Sequence, residues 1–335
     1  QFCQAFFTVG WMTGNVGVSG GGIVVNAHAN ASYGGPRLVS PGGSGLPGIA
    51  NPLAGGVALG YGFANPENRE FQGVAYEEMW DAILNGEYTA TVRGKVPCDI
   101  RMIYRVQDGN GGNALNQSAG IVKGIEAYRK VEFVVASDIV LATAAKYADV
   151  VLPTTTPWEQ ELGGFLTGNT EMLLWYNKVT EPLFEARNCQ WIERELATRL
   201  ELNPDDIYPF PRQQQVFNQI TKAQVILPDA SGYEPLVTIT AEDIAALGVE
   251  GEPQIGRISL TELMEKGVYQ VPRSPGDKFT YIAGKAFRED PVANPLKTVS
   301  GKLEIHCQAL ADVIAMYGLT TTPPIAQYRR PVEGI

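Results

Sequence analysis

Residues 131–153 constrain the fold of this chain more than any other stretch. Two apolar runs lie within it; the first ends on Asp138 and the second on Pro153. This pattern predicts a strand, a short helix over 140–148 and a second strand. In open α/β sheets, ligands bind outside the carboxyl ends of the strands. Because Asp138 stands at such an end, a nucleotide-containing cofactor is the first hypothesis.

The neighbouring segments extend this stretch into a β-α-β-α-β order, which predicts a parallel sheet. Apolar periodicity predicts further helices and strands elsewhere. The helices are expected at 1–13, 76–85, 118–130, 189–200, 241–247 and 259–266, and the strands at 99–106, 131–137, 149–152, 171–180 and 300–305. The expected fold class is α/β, with a parallel-sheet, dinucleotide-binding-like lobe, long irregular loops and a mixed α+β remainder.

The chain of 335 residues is long enough for two domains or one large α/β unit. Its composition suggests three parts. We expect a helix and a Gly/Pro-rich loop region at 1–75, an α/β cofactor-binding lobe at 76–200, and a mixed α+β extension at 201–335 that links to a missing C-terminal domain. The apolar start and the Pro-containing tail are typical of a piece cut from a longer polypeptide.

Composition argues against several functional classes. The net charge is −10 and no Lys/Arg cluster occurs, which disfavours nucleic-acid binding. No apolar run reaches the roughly 18 residues of a membrane span. The four cysteines form no C-x-x-C pair and only two histidines are present, so a zinc or iron–sulfur site held by this chain alone is not expected. Without a G-x-S-x-G elbow or a P-loop, the chain is expected to hold a cofactor and to carry no catalytic residue or metal ligand of its own.

A Gly-rich turn at 109–114 matches the loose G-x-G-x-x-A form of a dinucleotide fingerprint. It lies between a predicted strand and a predicted helix, where backbone N–H groups can meet a pyrophosphate. Asp138 lies 138 − 109 = 29 positions further on, whereas nicotinamide-binding units need about 20. An ordinary tight turn is an equal alternative for this motif.

Ser137 and Asp138 have two interpretations. A carboxylate accepts two parallel hydrogen bonds, so Asp138 can hold the hydroxyls of a ribose or the N1–H and amine of a guanine. Both residues are also favoured helix N-caps, and the pattern alone favours the cap, with which a ligand role is compatible. Asp149 is expected to be structural. The three threonines at 154–156 are expected to satisfy loop backbone groups or to line a cofactor edge.

Four further side chains have plain interpretations. Glu159 and Glu161 form a candidate catalytic pair, but exposed loop carboxylates are commoner and are expected here. Trp158 and Trp191 are expected to be packing residues.

Several motifs together resemble the dimethyl sulfoxide reductase family of molybdopterin oxidoreductases. They are TGNVGVSGGG at 13–22, GGNALNQ at 111–117, KVEFVVASDIVLATAAKYADVVLPTTTPWEQE at 130–161, EPLFEARNCQWIERELATRL at 181–200 and SGKLEI at 300–305. They follow the family's order, and the long central match is the specific one. The chain therefore resembles a central fragment of that family's catalytic subunit.

The resemblance implies a cofactor of molybdenum, or tungsten, held by bis(molybdopterin guanine dinucleotide). It places Ser137 and Asp138 at a guanosine end of one dinucleotide. It assigns three further residues to the path of the same cofactor: Asn113, Asn116 and Gln117. A Lys that often contacts the cofactor in the family is Gln160 here, and a family Asp is replaced by Cys189, next to Asn188. Both of those contacts are therefore in question.

The resemblance also implies an activity and partners. The family reduces small S-oxides, N-oxides or oxyanions by oxygen-atom transfer in anaerobic respiration. Partners would be a small-molecule oxide substrate, an iron–sulfur electron-transfer subunit and a membrane anchor subunit. The metal ligand, and any 4Fe-4S cluster, would lie N-terminal to the matched region. A periplasmic location after twin-arginine export is implied, with the cytoplasm as the alternative.

Two other functions are also compatible with the sequence. The glycines at 109–114 support an NAD-dependent Rossmann dehydrogenase, whereas their distance to Asp138 argues against it. A non-catalytic relative would use the same scaffold as a structural subunit of an electron-transfer complex.

Overall fold

The computed structural model describes residues 2–22, 37–43, 45–47, 78–90, 94–106, 115, 120–160, 171–308, 311–312, 315 and 323–327. The helices are α1 Phe2–Met12, α2 Met79–Asn85, α3 Ile121–Lys130, α4 Cys189–Arg199, α5 Arg212–Ile220, α6 Ala241–Leu247, α7 Leu260–Lys266 and α8 Lys285–Glu289. The strands are β1 Val39–Ser40, β2 Glu87–Ala90, β3 Gly94–Pro97, β4 Met102–Val106, β5 Phe133–Asp138, β6 Val150–Pro153, β7 Met172–Leu174, β8 Gln224–Ile226, β9 Tyr233–Pro235, β10 Val237–Thr238, β11 Ile258–Ser259 and β12 Val268–Gln270.

A three-stranded parallel sheet in the order β4-β5-β6 forms the predicted lobe. The register places Val106 opposite Ser137, and Asp138 opposite Pro153. The last five residues of β5 are buried, as expected of a central parallel strand. The α/β fold class and the parallel sheet are thus confirmed, and the strands end at one common edge.

Helices α2 and α3 pack beside this sheet. Trp80 of α2 and Tyr128 of α3 are buried with Val134 of β5 in one apolar cluster. Gly124 permits the close approach of the two helices, because a Cβ there would lie 3.0 Å from the Trp80 ring. Gly86 ends α2 with a φ of 71°, a left-handed conformation that glycine adopts readily.

A second, larger core lies under the C-terminal half of the chain. It joins α5, α7 and several short strands around side chains such as Phe217, Val225 and Leu263. The other described strands form four separate sets. The sets β1-β8-β9 and β7-β12 are antiparallel, β10-β11 is parallel, and β2-β3 is a hairpin.

The expected three-part division at residues 75 and 200 stays a prediction. Hydrogen-bonded pairs cross both boundaries, because β1 pairs with β8 and β7 pairs with β12. The Arg288 guanidinium also donates to the carbonyl of Gly14 at 2.6 Å, which ties the turn after α1 to α8. None of the described helices is long and apolar enough to span a bilayer.

Three predicted elements differ from the structure. The helix over 140–148 is reduced to a 3₁₀ turn at Ala145–Tyr147, since a turn fixed by the Asp138 side chain occupies the residues before it. The strand over 171–180 ends at Leu174, because its partner β12 has only three residues. Residues 300–305 form turns, closed by the bond from the Leu296 N–H to the Gly301 carbonyl, and pair with no described strand.

Candidate functional site

The carboxyl edge of the parallel sheet holds Ser137 and Asp138. Both are buried, and Asp138 is only 7% exposed. Asp138 Oδ1 accepts a bond of 3.3 Å from the Val140 N–H, and Ser137 Oγ lies 3.3 Å from Tyr104 Oη. Because no helix begins here, the helix-cap interpretation of Asp138 is wrong. Its carboxylate closes a turn, and acceptor capacity remains on both oxygens.

Asp149 is structural, as predicted. Its Oδ2 accepts a bond of 2.8 Å from the Val134 N–H, and its own N–H donates to the Val134 carbonyl at 2.8 Å. These two bonds fix the start of β6 beside β5.

Beyond β6, the chain extends the same edge. The Thr154 N–H donates to the Asp138 carbonyl at 3.0 Å, and Thr154 forms a parallel bridge with Arg187. The Thr155 N–H donates to the Arg187 carbonyl at 3.1 Å. The segment around Arg187 therefore lies beside β6 as a further strand-like edge. It leads directly into α4, whose N-cap Asn188 accepts from the Trp191 N–H at 2.7 Å.

Glu159 fixes the loop that follows the threonines. Its Oε2 accepts from the N–H and the hydroxyl of Thr156 at 2.7 and 2.8 Å, and its Oε1 accepts from the Leu183 N–H at 3.0 Å. The bonds from Thr156, followed by the one from Leu183, lower the pKa of this carboxyl. Glu159 is 8% exposed, so the expectation of an exposed loop carboxylate is wrong for it. Glu161 lies outside the described residues.

A cavity of about 270 Å³ opens between the end of β6, the segment before α4 and the start of α5. Polar residues make up most of its wall, and two of them are carboxylates: Thr155, Glu159, Gln160, Lys178, Glu181, Arg187, Asn188 and Arg212. Two residues of this wall, Thr155 and Arg212, each have a buried atom, Oγ1 and Nε respectively, without a hydrogen-bond partner among the described residues. Burial lowers the pKa of the Arg212 guanidinium, and no described carboxylate opposes that shift.

The other charged groups of the cavity are already engaged. Lys178 pairs with Glu181 at 2.7 Å. The Arg187 guanidinium lies 5.5 Å from the centre of the Trp191 ring. Trp158 and Trp191 are 55% and 47% exposed, so the expectation that they are packing residues is wrong. Trp191 instead forms part of the cavity wall.

The predicted site residues lie in several different places. Ser137 and Asp138 share the sheet edge, and Gln160 lies on the cavity wall. Cys189 opens α4, and its pKa is raised mainly by burial. The remaining three predictions lie outside the described residues: Asn113, Asn116 and Gln117. Among the described residues, no group of three His, Cys, Asp or Glu side chains can hold a metal ion.

Sequence reasoning missed the three cationic residues of the cavity, Lys178, Arg187 and Arg212. One signal was available for Arg212. It is the first residue of α5, where a cation opposes the helix dipole, so its position needs another explanation. No comparable signal marks Arg187.

Comparison with known proteins gives consistent matches. The family model described as molybdopterin oxidoreductase matches residues 1–199. Dimethyl sulfoxide reductase DmsA of Escherichia coli (strain K12) is 29% identical, covering 96% of this chain and 35% of its own length. The putative dimethyl sulfoxide reductase chain YnfE of the same strain is also 29% identical, with the same coverage. The dimethyl sulfoxide/trimethylamine N-oxide reductase of Rhodobacter capsulatus is 27% identical over 97% of this chain and 35% of its own. The chain thus spans about a third of the length of the curated relatives it matches.

Proposed function

Because this chain belongs to the molybdopterin oxidoreductase family, we propose that it is part of a molybdenum oxidoreductase that reduces a small S-oxide, N-oxide or oxyanion by oxygen-atom transfer. Within that enzyme, this segment binds the guanosine end of a molybdopterin guanine dinucleotide. The names of the similar proteins, dimethyl sulfoxide and trimethylamine N-oxide reductases, support the substrate class.

One observation carries the cofactor role of this segment. A buried carboxylate, Asp138, stands at the carboxyl end of a central parallel strand, beside a cavity lined mostly by polar residues. That edge is where open α/β sheets bind nucleotides. The residues present fit a nucleotide: a carboxylate to accept from a purine, and a hydroxyl and a guanidinium to donate to phosphates.

The chain's own residues would bind and orient this group. Asp138 would accept the N1–H and exocyclic amine of the guanine in a charge-assisted pair of hydrogen bonds. Ser137 and Gln160 would add polar contacts, and the buried edge would exclude water. The bound metal cofactor would supply the oxygen-atom transfer, for which the protein provides position and surroundings.

Replacing Asp138 in the full-length protein tests this role. Asp138→Ala removes the acceptor, while Asp138→Asn retains one oxygen for the turn at Val140. Loss of hydrogen bonds to a charged group corresponds to roughly 10- to 100-fold weaker binding. We expect both variants to contain less molybdenum and less releasable guanine nucleotide per protein, with an unchanged rate per molybdenum.

The matched control is Glu126→Gln, which removes an exposed carboxylate of α3 on the same lobe. It should leave cofactor content unchanged. Normal molybdenum and guanine content in both Asp138 variants would refute the proposed contact.

The family assignment leaves the NAD-dependent dehydrogenase without support. A non-catalytic relative remains a second proposal, which the absence of molybdenum from the purified full-length protein would favour. We further propose an iron–sulfur subunit and a membrane anchor subunit as partners and a periplasmic location. Co-purification and cell fractionation of the full-length protein test these points.

A further inference from the structure

Phe184 combines two unfavourable features in one residue. Its side chain is 96% exposed to solvent. Its backbone has a φ of 52°, in the left-handed region that bulky residues rarely adopt. Strained residues persist where the surrounding structure fixes them, and they cluster at functional sites. Since glycine would be unstrained here and an exposed ring gains nothing from burial, the described residues give no reason for a phenylalanine at this position.

The loop that carries Phe184 is held in place by hydrogen bonds. The Leu183 N–H donates to Glu159 Oε1 at 3.0 Å. The Val179 N–H donates to the Trp158 carbonyl at 2.7 Å, which joins this loop to the one after β6. The ring is therefore presented by a fixed loop. A side chain presented in this way loses less conformational freedom on contact than one on an unconstrained loop.

Phe184 belongs to an exposed apolar patch. Three other large side chains on the two joined loops are each more than half exposed: Trp158, Val179 and Leu183. We call these four residues the Phe184 patch. Clustered exposed apolar side chains mark interaction surfaces, and aromatic side chains are enriched at the centres of interfaces. The patch therefore has the composition expected at the centre of an interface.

A further part of the same polypeptide is the occupant that fits this patch best. Permanent interfaces are more hydrophobic than transient ones, and a strained, exposed ring favours a permanent cover. This chain covers 35% of the length of DmsA and 35% of that of the Rhodobacter capsulatus reductase, so about two thirds of each relative lies outside the matched part. A segment of the same chain is always present, at a high effective concentration.

We propose that Phe184 is the aromatic anchor of an interface within the full-length polypeptide, in which the Phe184 patch packs against an apolar pocket formed by residues outside 1–335. Burial of the ring in that pocket offsets the strain of the left-handed backbone. This interface joins two parts of one chain, and it depends neither on the cofactor nor on the reaction.

Photo-crosslinking of the full-length protein identifies what covers the ring. The variant Phe184→p-benzoylphenylalanine keeps an aromatic side chain that reacts with its neighbours on illumination. We expect a main product with the mass of one polypeptide, in which mass spectrometry finds position 184 joined to a peptide from outside residues 1–335. A main product with a peptide from within 1–335, a second copy, a different protein or the cofactor would overturn the proposal, as would no crosslink at all.

The variant Phe184→Gly gives a second measurement, in which the two cases have opposite signs. If the ring is simply exposed, glycine relieves the strained φ and the loop becomes no less stable. If the ring is an anchor, its loss opens the interface. We expect hydrogen exchange of the 179–184 loop and of the crosslinked peptide to rise roughly 10- to 30-fold in the full-length protein. Unchanged or slower exchange would overturn the proposal.

The matched control is Ala230→Gly, because Ala230 has a similar φ of 62° on an exposed residue that carries no ring. It should leave exchange of the 179–184 loop unchanged. Phe184→Leu keeps the strain and most of the apolar volume, and it should raise exchange less than Phe184→Gly does. An equal rise in Phe184→Gly and Ala230→Gly would show a general effect of glycine and would refute the anchor role.

Discussion

Glu159 allows a quantitative test of how the loop after β6 is held. Its two oxygens accept three hydrogen bonds, from the N–H and hydroxyl of Thr156 and from the N–H of Leu183. Glu159→Gln keeps the size but presents one oxygen and one NH₂ group. The NH₂ group, which is a donor, must then face either the donors of Thr156 or the Leu183 N–H. Since hydrogen bonds to charged groups contribute about 1.5–3 kcal/mol each and are not additive, we expect a local loss of about 2–3 kcal/mol.

Hydrogen–deuterium exchange of the full-length protein measures this loss locally. The protection of the Thr156 and Leu183 amides should fall roughly 30- to 150-fold at pH 7 in Glu159→Gln, the equivalent of that free energy. The control Glu185→Gln changes an exposed carboxylate of the same segment and should leave the protection unchanged. Equal exchange in the two variants would refute the bonding scheme.

The pH dependence gives a second, independent reading of the same group. The bonds from Thr156 and Leu183 lower the pKa of the Glu159 carboxyl. A lowered folded-state pKa contributes stability above the unfolded value of about 4.3, and this contribution is lost as the pH falls through the folded value. The difference between wild type and Glu159→Gln should therefore be complete at pH 7 and shrink below about pH 4. A difference that persists unchanged at pH 3 would contradict this account.

Two further predictions concern stability. The side-chain amides of Gln190 and Gln215 form two hydrogen bonds with each other, of 2.8 and 3.0 Å. Gln215→Leu should therefore lower the free energy of unfolding by about 2 kcal/mol, and the double Leu variant should lose less than the sum of the two single variants. Thermal unfolding in a double-mutant cycle measures this, and strict additivity would contradict it. Gly45→Ala should destabilise by at least about 1 kcal/mol more than Gly43→Ala, because a Cβ at Gly45 would lie 1.9 Å from the Gln215 carbonyl oxygen, whereas a Cβ at Gly43 meets no described atom within 4 Å. Both glycines have positive φ, of 71° and 85°, so equal melting temperatures would show that the contact is unimportant.

The parts of the fold that local signals specify were predictable. Helix α6 has the predicted bounds, because Thr240 and Asp243 form a reciprocal cap at its start and Gly248 ends it. The 140–148 segment shows the opposite case. There the Asp138 side chain, at the end of β5, accepts a hydrogen bond from the Val140 N–H, and this bond competes with helix formation. Helical spacing in the sequence does not reveal such a bond.

The candidate site divides in the same way. Asp138 was predictable because a strand end is visible in the sequence. The cavity was not predictable, because its wall combines residues from distant parts of the chain. Thr155 follows β6, Arg187 precedes α4, and Arg212 begins α5. Whether an arginine has an acidic partner depends on which segments meet, and that is a property of the tertiary structure. The buried state of Glu159 was missed for the same reason, since its third donor comes from Leu183.

The geometry of the edge gives a reason to treat Asp138 and the cavity as parts of one binding surface. Asp138 is joined to Thr154 by a backbone hydrogen bond, and Thr155 to Arg187 by another. Because neighbouring strands lie about 4.8 Å apart, two strand spacings place the carboxylate about 10 Å from the segment that carries Arg187. A nucleotide laid across the strand ends would then put its base near the anionic end and its phosphates near the cationic end. Under the proposed function, this orientation keeps the phosphates away from the buried Asp138 carboxylate, which would repel them.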